Sequence, residues 1–164
     1  FGPDQWSPFV SPVLDTLNGD NKPQTLDMQK GRNTILVFYL GRECPHCLKQ
    51  LRDLQDKSAD WKRLDTDIFA VSPNTPETNK TLLGDDAYKG IRFLSDPTRS
   101  NAKRFLAYDD FEEMEIHATL FIDKEGKVRW SRMGGAPFED LAFLTKEIER
   151  INQLSKQTNL ESYE

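Results

Sequence analysis

The sequence predicts an α/β fold, a mixed central sheet flanked by helices on both faces. Three observations lead there. Apolar runs of strand length alternate with segments of helical periodicity. The pair Thr119-Leu120-Phe121-Ile122 and Lys127-Val128-Arg129-Trp130 flanks Asp123-Lys124-Glu125-Gly126, a hairpin signal. A closing helix follows, in which Phe138, Leu141, Leu144, Ile148 and Ile151 recur at helical spacing. Such a pattern stacks helices against a sheet with both parallel and antiparallel pairs.

Taken in order, residues 1–32 are rich in Pro, Asn, Asp and Gly, with short apolar patches at Phe9-Val10 and Val13-Leu14. They read as an N-terminal arm or hairpin packed on the domain. Thr34–Tyr39 is a buried strand, and Pro45–Ala59 a helix, with Pro45 tolerated in its first turn. Asp67–Val71 is a second buried strand, stopped by Ser72-Pro73-Asn74. Thr75 caps a helix that Pro76 opens. Arg92–Leu94 is a short strand and Pro97–Leu106 a helix; then come the hairpin and a last helix opened by Pro137. One domain thus spans 33–154, and the polar tail 155–164 is expected to fray.

Composition narrows the function. The 164 residues form one domain with a full core. A net charge of −5 argues against a nucleic-acid groove or an anionic membrane surface. No apolar run approaches the roughly 20 residues that span a bilayer, so no membrane insertion is expected. The chain begins at Phe1 rather than Met and reads as trimmed, with any targeting segment lost. An extracytoplasmic compartment, periplasmic or secreted, is favoured over the cytoplasm.

Chemistry concentrates at Cys44-Pro45-His46-Cys47, which holds both cysteines of the chain. It follows the first buried strand and opens a helix whose Leu48, Leu51 and Leu54 share one face. Strand, turn, C-x-x-C and helix is the layout of a redox dithiol. The spacing closes a small disulfide ring, and the helix start stabilises a thiolate with unpaired N–H groups and its dipole. So short a loop constrains the unfolded chain little, which argues against a scaffold disulfide. His46 can lower the Cys44 pKa, whereas Glu43 pushes it up. A c-type haem needs His after the second cysteine, and Leu48 stands there. A zinc site from Cys44, Cys47, His46 and His117 is strained because His46 lies inside the turn; no metal and no cofactor are expected. Arg42, Lys49 and Arg52 read as a solvated basic face, Trp61 and Trp130 as packing.

The order of elements, with Val37–Leu54, Ala70–Pro73, Leu94–Pro97 and Ala118–Lys127, resembles the thioredoxin superfamily. Within it the likeness is to the redoxin branch of AhpC/TSA peroxiredoxins and TlpA/ResA-like thiol–disulfide oxidoreductases. The resemblance implies a thioredoxin-like fold. It also implies two rival site assignments. In the oxidoreductases Cys44 is the attacking thiol and Cys47 resolves the mixed disulfide. In peroxiredoxins the peroxide-attacking cysteine falls at Cys47, while the assisting Pro, Thr and Arg fall at Leu40, Cys44 and His117, so only the cysteine matches. A variant group with a motif similar to F-Y-x-G-x-x-C-P-x-C carries two cysteines. In the oxidoreductases a cis-proline precedes the Ala118-Thr119 pair; here His117 takes that place and is a candidate proton donor or charge partner. The first expectation is therefore a thiol–disulfide oxidoreductase using Cys44, Cys47, His46 and His117. Its partners are a protein or small-molecule disulfide and a thiol electron donor, with hydroperoxide as the alternative oxidant. A redox-silent interaction module of a larger protein is the third reading.

Overall fold

The computed structural model describes residues 9–10, 14–17, 23–26, 31–83, 85–112, 114–134 and 136–161. Its main sheet has eight strands: β1 (Phe9–Val10), β2 (Leu14–Leu17), β3 (Pro23–Leu26), β4 (Asn33–Phe38), β5 (Thr66–Ser72), β6 (Ile91–Ser95), β9 (His117–Ile122) and β10 (Lys127–Gly134). A two-stranded ribbon, β7 (Tyr108–Asp109) and β8 (Met114–Glu115), lies apart from it. The helices are α1 (Pro45–Asp56), α2 (Ser58–Arg63), α3 (Pro76–Leu83), α4 (Ser100–Arg104) and α5 (Leu141–Glu161). The sheet runs β1-β10-β9-β4-β5-β6-β2-β3. Strands β4, β5 and β6 are parallel, and the remaining pairs are antiparallel, so the sheet is mixed.

Alternation along β4 builds both faces at once. Ile35, Val37 and the following Tyr39 pack with Cys47, Leu51 and Leu54 of α1, Trp61 of α2 and Leu144 and Ile148 of α5. Leu36 and Phe38 pack the other way, with Ala102 of α4 and Phe105. All six β4 residues are buried, as strands covered on both faces must be. On β9, Phe121 belongs to the α1 face and Ala118, Leu120 and Ile122 to the other. His117 and Thr119, in step with Phe121, therefore point toward α1.

The N-terminal segment divides between the two sheet edges. β1 pairs with β10, whereas the β2–β3 hairpin joins β6 through Leu17 and Ser95. Val13 and the rest of the arm up to residue 30 outside these strands lie outside the described residues, as do 162–164 of the tail.

Four helix boundaries differ from the sequence reading, each for a local reason. The helix expected over Pro45–Ala59 breaks at Lys57. The Leu54 carbonyl accepts both the Lys57 N–H at 3.2 Å and the Trp61 indole N–H at 2.7 Å, so α2 starts afresh. Pro97 lies in a turn rather than in α4. The Asp96 carboxylate instead accepts the Asn101 and Ala102 N–H groups, at 3.1 and 3.2 Å, and Arg99 takes a left-handed φ of 61° just before the helix. Pro137 does not open α5; Asp140 does, its carboxylate accepting the Phe143 N–H at 3.0 Å. The expected frayed tail is helical through Glu161. Elsewhere Thr75 caps α3 as read, accepting the Thr78 N–H at 3.3 Å. In the β9–β10 turn, buried Asp123 accepts the Glu125 and Lys127 N–H groups, both at 2.9 Å.

Candidate active site

The site lies where β4 ends and α1 begins. After Phe38 the chain makes one more ladder bond, Tyr39 N–H to the Val71 carbonyl at 3.1 Å. It then turns at Gly41, whose φ of 126° is closed to ordinary side chains. A Cβ there would also meet the Asn74 Oδ1 at 2.8 Å. The Gly41 carbonyl accepts the Cys44 N–H at 3.1 Å, closing the turn that delivers Cys44 to the helix start.

Cys44 is the N-cap of α1 and Pro45 occupies its first turn. The Cys44 Sγ accepts the Cys47 N–H at 3.3 Å, as an oxygen does at an ordinary N-cap. The two sulfurs form a disulfide. Their exposures differ: Cys44 is half-buried, while Cys47 is fully enclosed in the core. Cys44 is therefore the more accessible sulfur of the two.

His117 meets the pair from the facing strand. It begins β9, pairs with Gly134 of β10, and is 9% exposed. Its Nε2 lies 3.0 Å from Cys47 Sγ and 3.7 Å from Cys44 Sγ. His46, between the cysteines in sequence, sits exposed on the first turn of α1. Of the four residues singled out in the sequence, the structure thus gathers Cys44, Cys47 and His117 into one cluster and leaves His46 on its solvent side.

A second rung joins the same helix and strand. Gln50, buried one turn after Cys47, donates from Nε2 to Thr119 Oγ1 at 2.8 Å and to the Phe138 carbonyl at 3.1 Å. Cys47 and Gln50 are three apart on α1 and His117 and Thr119 two apart on β9, so both pairs span one helix–strand interface. The sequence reading passed over Gln50. Its signal was a polar residue inside the stripe formed by Cys47, Leu51 and Leu54.

Behind the turn, the Tyr39 hydroxyl is buried beside Ser72 and Asn74 but forms no hydrogen bond of normal geometry. Burial pushes its pKa up to about 12, the two polar neighbours offsetting part of the effect. The basic face is engaged locally: Lys49 pairs with Asp53 at 2.7 Å, which raises its pKa, and Arg52 donates to the Tyr88 hydroxyl at 3.0 Å. Trp130, buried in the core, packs at a tilt against Phe138 and Phe143.

A mixed sheet covered on both faces, with a C-x-x-C disulfide at the start of the helix after its first parallel strand, defines a thioredoxin-like redox domain. The sequence model of the AhpC/TSA family matches residues 9–131, and the chain belongs to that family. Alkyl hydroperoxide reductase C of Staphylococcus aureus is 26% identical over 129 residues, 77% of this chain and 68% of that protein. Among solved structures, reduced 2-Cys peroxiredoxin of Plasmodium vivax superposes with a TM-score of 0.73 at 20% identity, covering 90% of this chain and 96% of the other. Peroxidoxin BcpB of Mycobacterium tuberculosis gives 0.76 at 15% identity, with 88% and 96% covered. The protein is accordingly an oxidoreductase with a thiol-redox role. No helix among the described residues is long and apolar enough to cross a membrane.

Proposed function

We propose that the protein is a dithiol oxidoreductase that cycles between the Cys44/Cys47 dithiol and the Cys44–Cys47 disulfide. The observation that carries the reading is the asymmetry of the pair: a half-buried Cys44 at the helix N-cap, and an enclosed Cys47 with His117 Nε2 at 3.0 Å. In the reducing direction the Cys44 thiolate attacks a disulfide R–S–S–R′, giving Cys44–S–S–R and releasing R′–S⁻. The Cys47 thiol then passes its proton to His117 Nε2 and its sulfur attacks the Cys44 sulfur. R–S⁻ leaves and takes the proton from His117. An external thiol donor reduces the disulfide and completes the cycle. His46 tunes the Cys44 thiolate from the solvent side, and Glu43 opposes it.

A second reading, thiol peroxidase, is favoured by the family match and by the relatives named alkyl hydroperoxide reductase. On it Cys47 attacks a hydroperoxide and becomes a sulfenic acid, releasing an alcohol or water. Cys44 then condenses with the sulfenic acid, releasing water and forming the same disulfide. Thiolate character alone does not polarise the O–O bond; donors must meet the charge that builds on the leaving oxygen. Among the described residues, His117 is the side chain at the two sulfurs that offers such a donor.

Stopped-flow comparison of the reduced protein with a model disulfide and with hydrogen peroxide separates the two, in wild type and in His117→Ala. The oxidoreductase reading expects a fast disulfide reaction and a peroxide reaction no faster than that of a simple low-pKa thiol. A fast peroxide reaction abolished by His117→Ala would hand the assignment to the peroxidase.

A further inference from the structure

We propose that the reduced site is also a binding site for a thiophilic divalent cation, zinc(II) foremost, with Cys44 Sγ, Cys47 Sγ and His117 Nε2 as its three protein ligands. The inference rests on the redox reading in one respect only, that the disulfide opens to two thiols.

The geometry is close to what such a cation needs. The three ligand atoms lie within 4.8 Å of one another. Zn–S bonds of about 2.3 Å and Zn–N bonds of about 2.0–2.1 Å, at tetrahedral angles, set S···N separations of roughly 3.5 Å. The two observed values, 3.0 and 3.7 Å, straddle that separation. Opening the disulfide is the one large change required, since two sulfurs bridged by zinc lie about 3.8 Å apart, beyond bonding distance.

The ligands sit on regular elements rather than mobile loops. Cys44 caps α1 and Cys47 lies in its first turn; the third begins a strand paired on both sides, with Phe38 opposite Ala118 and Gly134 opposite His117. The Cys47 N–H already points at Cys44 Sγ, an arrangement that supports a thiolate as it supports a capping oxygen. Two thiolates and one imidazole are a recognised zinc donor set, and three protein ligands leave a fourth position for water or a substrate thiolate. Cys44 is half-buried, so the cluster can be reached from solvent on its side. The objection that His46 lies inside the C-x-x-C turn does not touch this set, because His46 takes no part in it.

Metal and disulfide then exclude each other, since both use the same two sulfurs. Loading zinc on the reduced site displaces two thiol protons and blocks attack by Cys44. Oxidation reverses it. The zinc dithiolate, hydrogen peroxide and two protons give the disulfide, free Zn²⁺ and two waters. The peroxide gains the two electrons that the sulfurs lose. The redox site thereby becomes a zinc-inhibited one whose block is lifted by oxidant.

The test titrates anaerobically reduced full-length protein with Zn²⁺ against a chromophoric chelator, and with Co²⁺ as a probe of tetrahedral thiolate ligation. Thiols are counted in the same sample after denaturation. The expected result is one metal per chain in wild type, none in the disulfide form, and release of the zinc on adding one equivalent of hydrogen peroxide. His117→Ala and His117→Gln, each checked for native circular dichroism, should weaken binding by roughly tenfold or more, the scale seen on disturbing a metal site. Two thiols per chain without stoichiometric metal would overturn the proposal while leaving the dithiol reading intact. Failure to release two thiols would overturn both. Unchanged affinity in the two His117 variants would remove His117 from the ligand set and overturn the three-ligand site.

Discussion

His117 Nε2 stands 3.0 Å from the Cys47 sulfur and 3.7 Å from that of Cys44. The histidine serves the enclosed cysteine more closely than the accessible one. That order suits a resolving step, in which a thiol cut off from solvent must lose its proton before it attacks. Replacing His117 by Gln should therefore slow resolution more than the first attack. General-base assistance contributes about 10²–10⁴-fold, and a loss in the lower part of that range is expected because solvent partly substitutes. Rapid quench with mass spectrometry should show the Cys44 mixed disulfide accumulating in the variant. Equal slowing of both steps would show that His117 acts on the site as a whole.

Gln50 and Thr119 hold helix and strand at the distance that the Cys47–His117 contact requires. Gln50→Leu keeps the side-chain bulk but strands the buried Thr119 hydroxyl, while the part-buried Phe138 carbonyl turns to water. Such a loss costs about 1–3 kcal/mol for the unsatisfied group. Urea unfolding should show a destabilisation within that range, and the disulfide reaction should slow with it. A variant as stable as wild type would mean that water replaces both bonds.

Tyr39 gives a pH dependence with a definite sign. Its phenol titrates near 10 when unfolded and is pushed up to about 12 in the fold by burial. Between those values the folded state holds a proton that the unfolded state has released, so folding stability falls as pH rises. The stability is present below pH 10 and is lost by about pH 12, on the order of 3 kcal/mol in all. Tyr39→Phe should remove this part of the alkaline loss. Near neutral pH it should cost little, because the hydroxyl makes no hydrogen bond of normal geometry among the described residues. Urea midpoints for wild type and variant between pH 8 and 12 check it; parallel curves would contradict it.

What the sequence revealed follows the range of the interactions involved. Thr34–Tyr39, the dithiol turn and the β9–β10 hairpin were legible because run length, Pro and Gly placement and alternation are local signals. The break at Lys57 was not, since it depends on the Trp61 indole folding back onto the Leu54 carbonyl. Nor was the start of α5, where Pro137 looked the better opener until Asp140 supplied the cap. Cys44, Cys47 and His117 were singled out in the sequence, the last through its place in the Ala118–Lys127 block. Their mutual distances needed the β4–β9 pairing, which no local pattern fixes. Gln50 went unseen because its partners are 69 and 88 residues away.

The central claim is that Cys44 attacks and Cys47 resolves, and trapping the intermediate tests it most directly. Reduced Cys47→Ser and Cys44→Ser proteins would each be mixed with a model aromatic disulfide near pH 7 and the adducts mapped by mass spectrometry. A rapid, stable mixed disulfide on Cys44 in Cys47→Ser is expected, together with a slow reaction at the enclosed thiol of Cys44→Ser. Fast labelling of Cys47 in Cys44→Ser, with Cys44 sluggish in the other variant, would contradict the account.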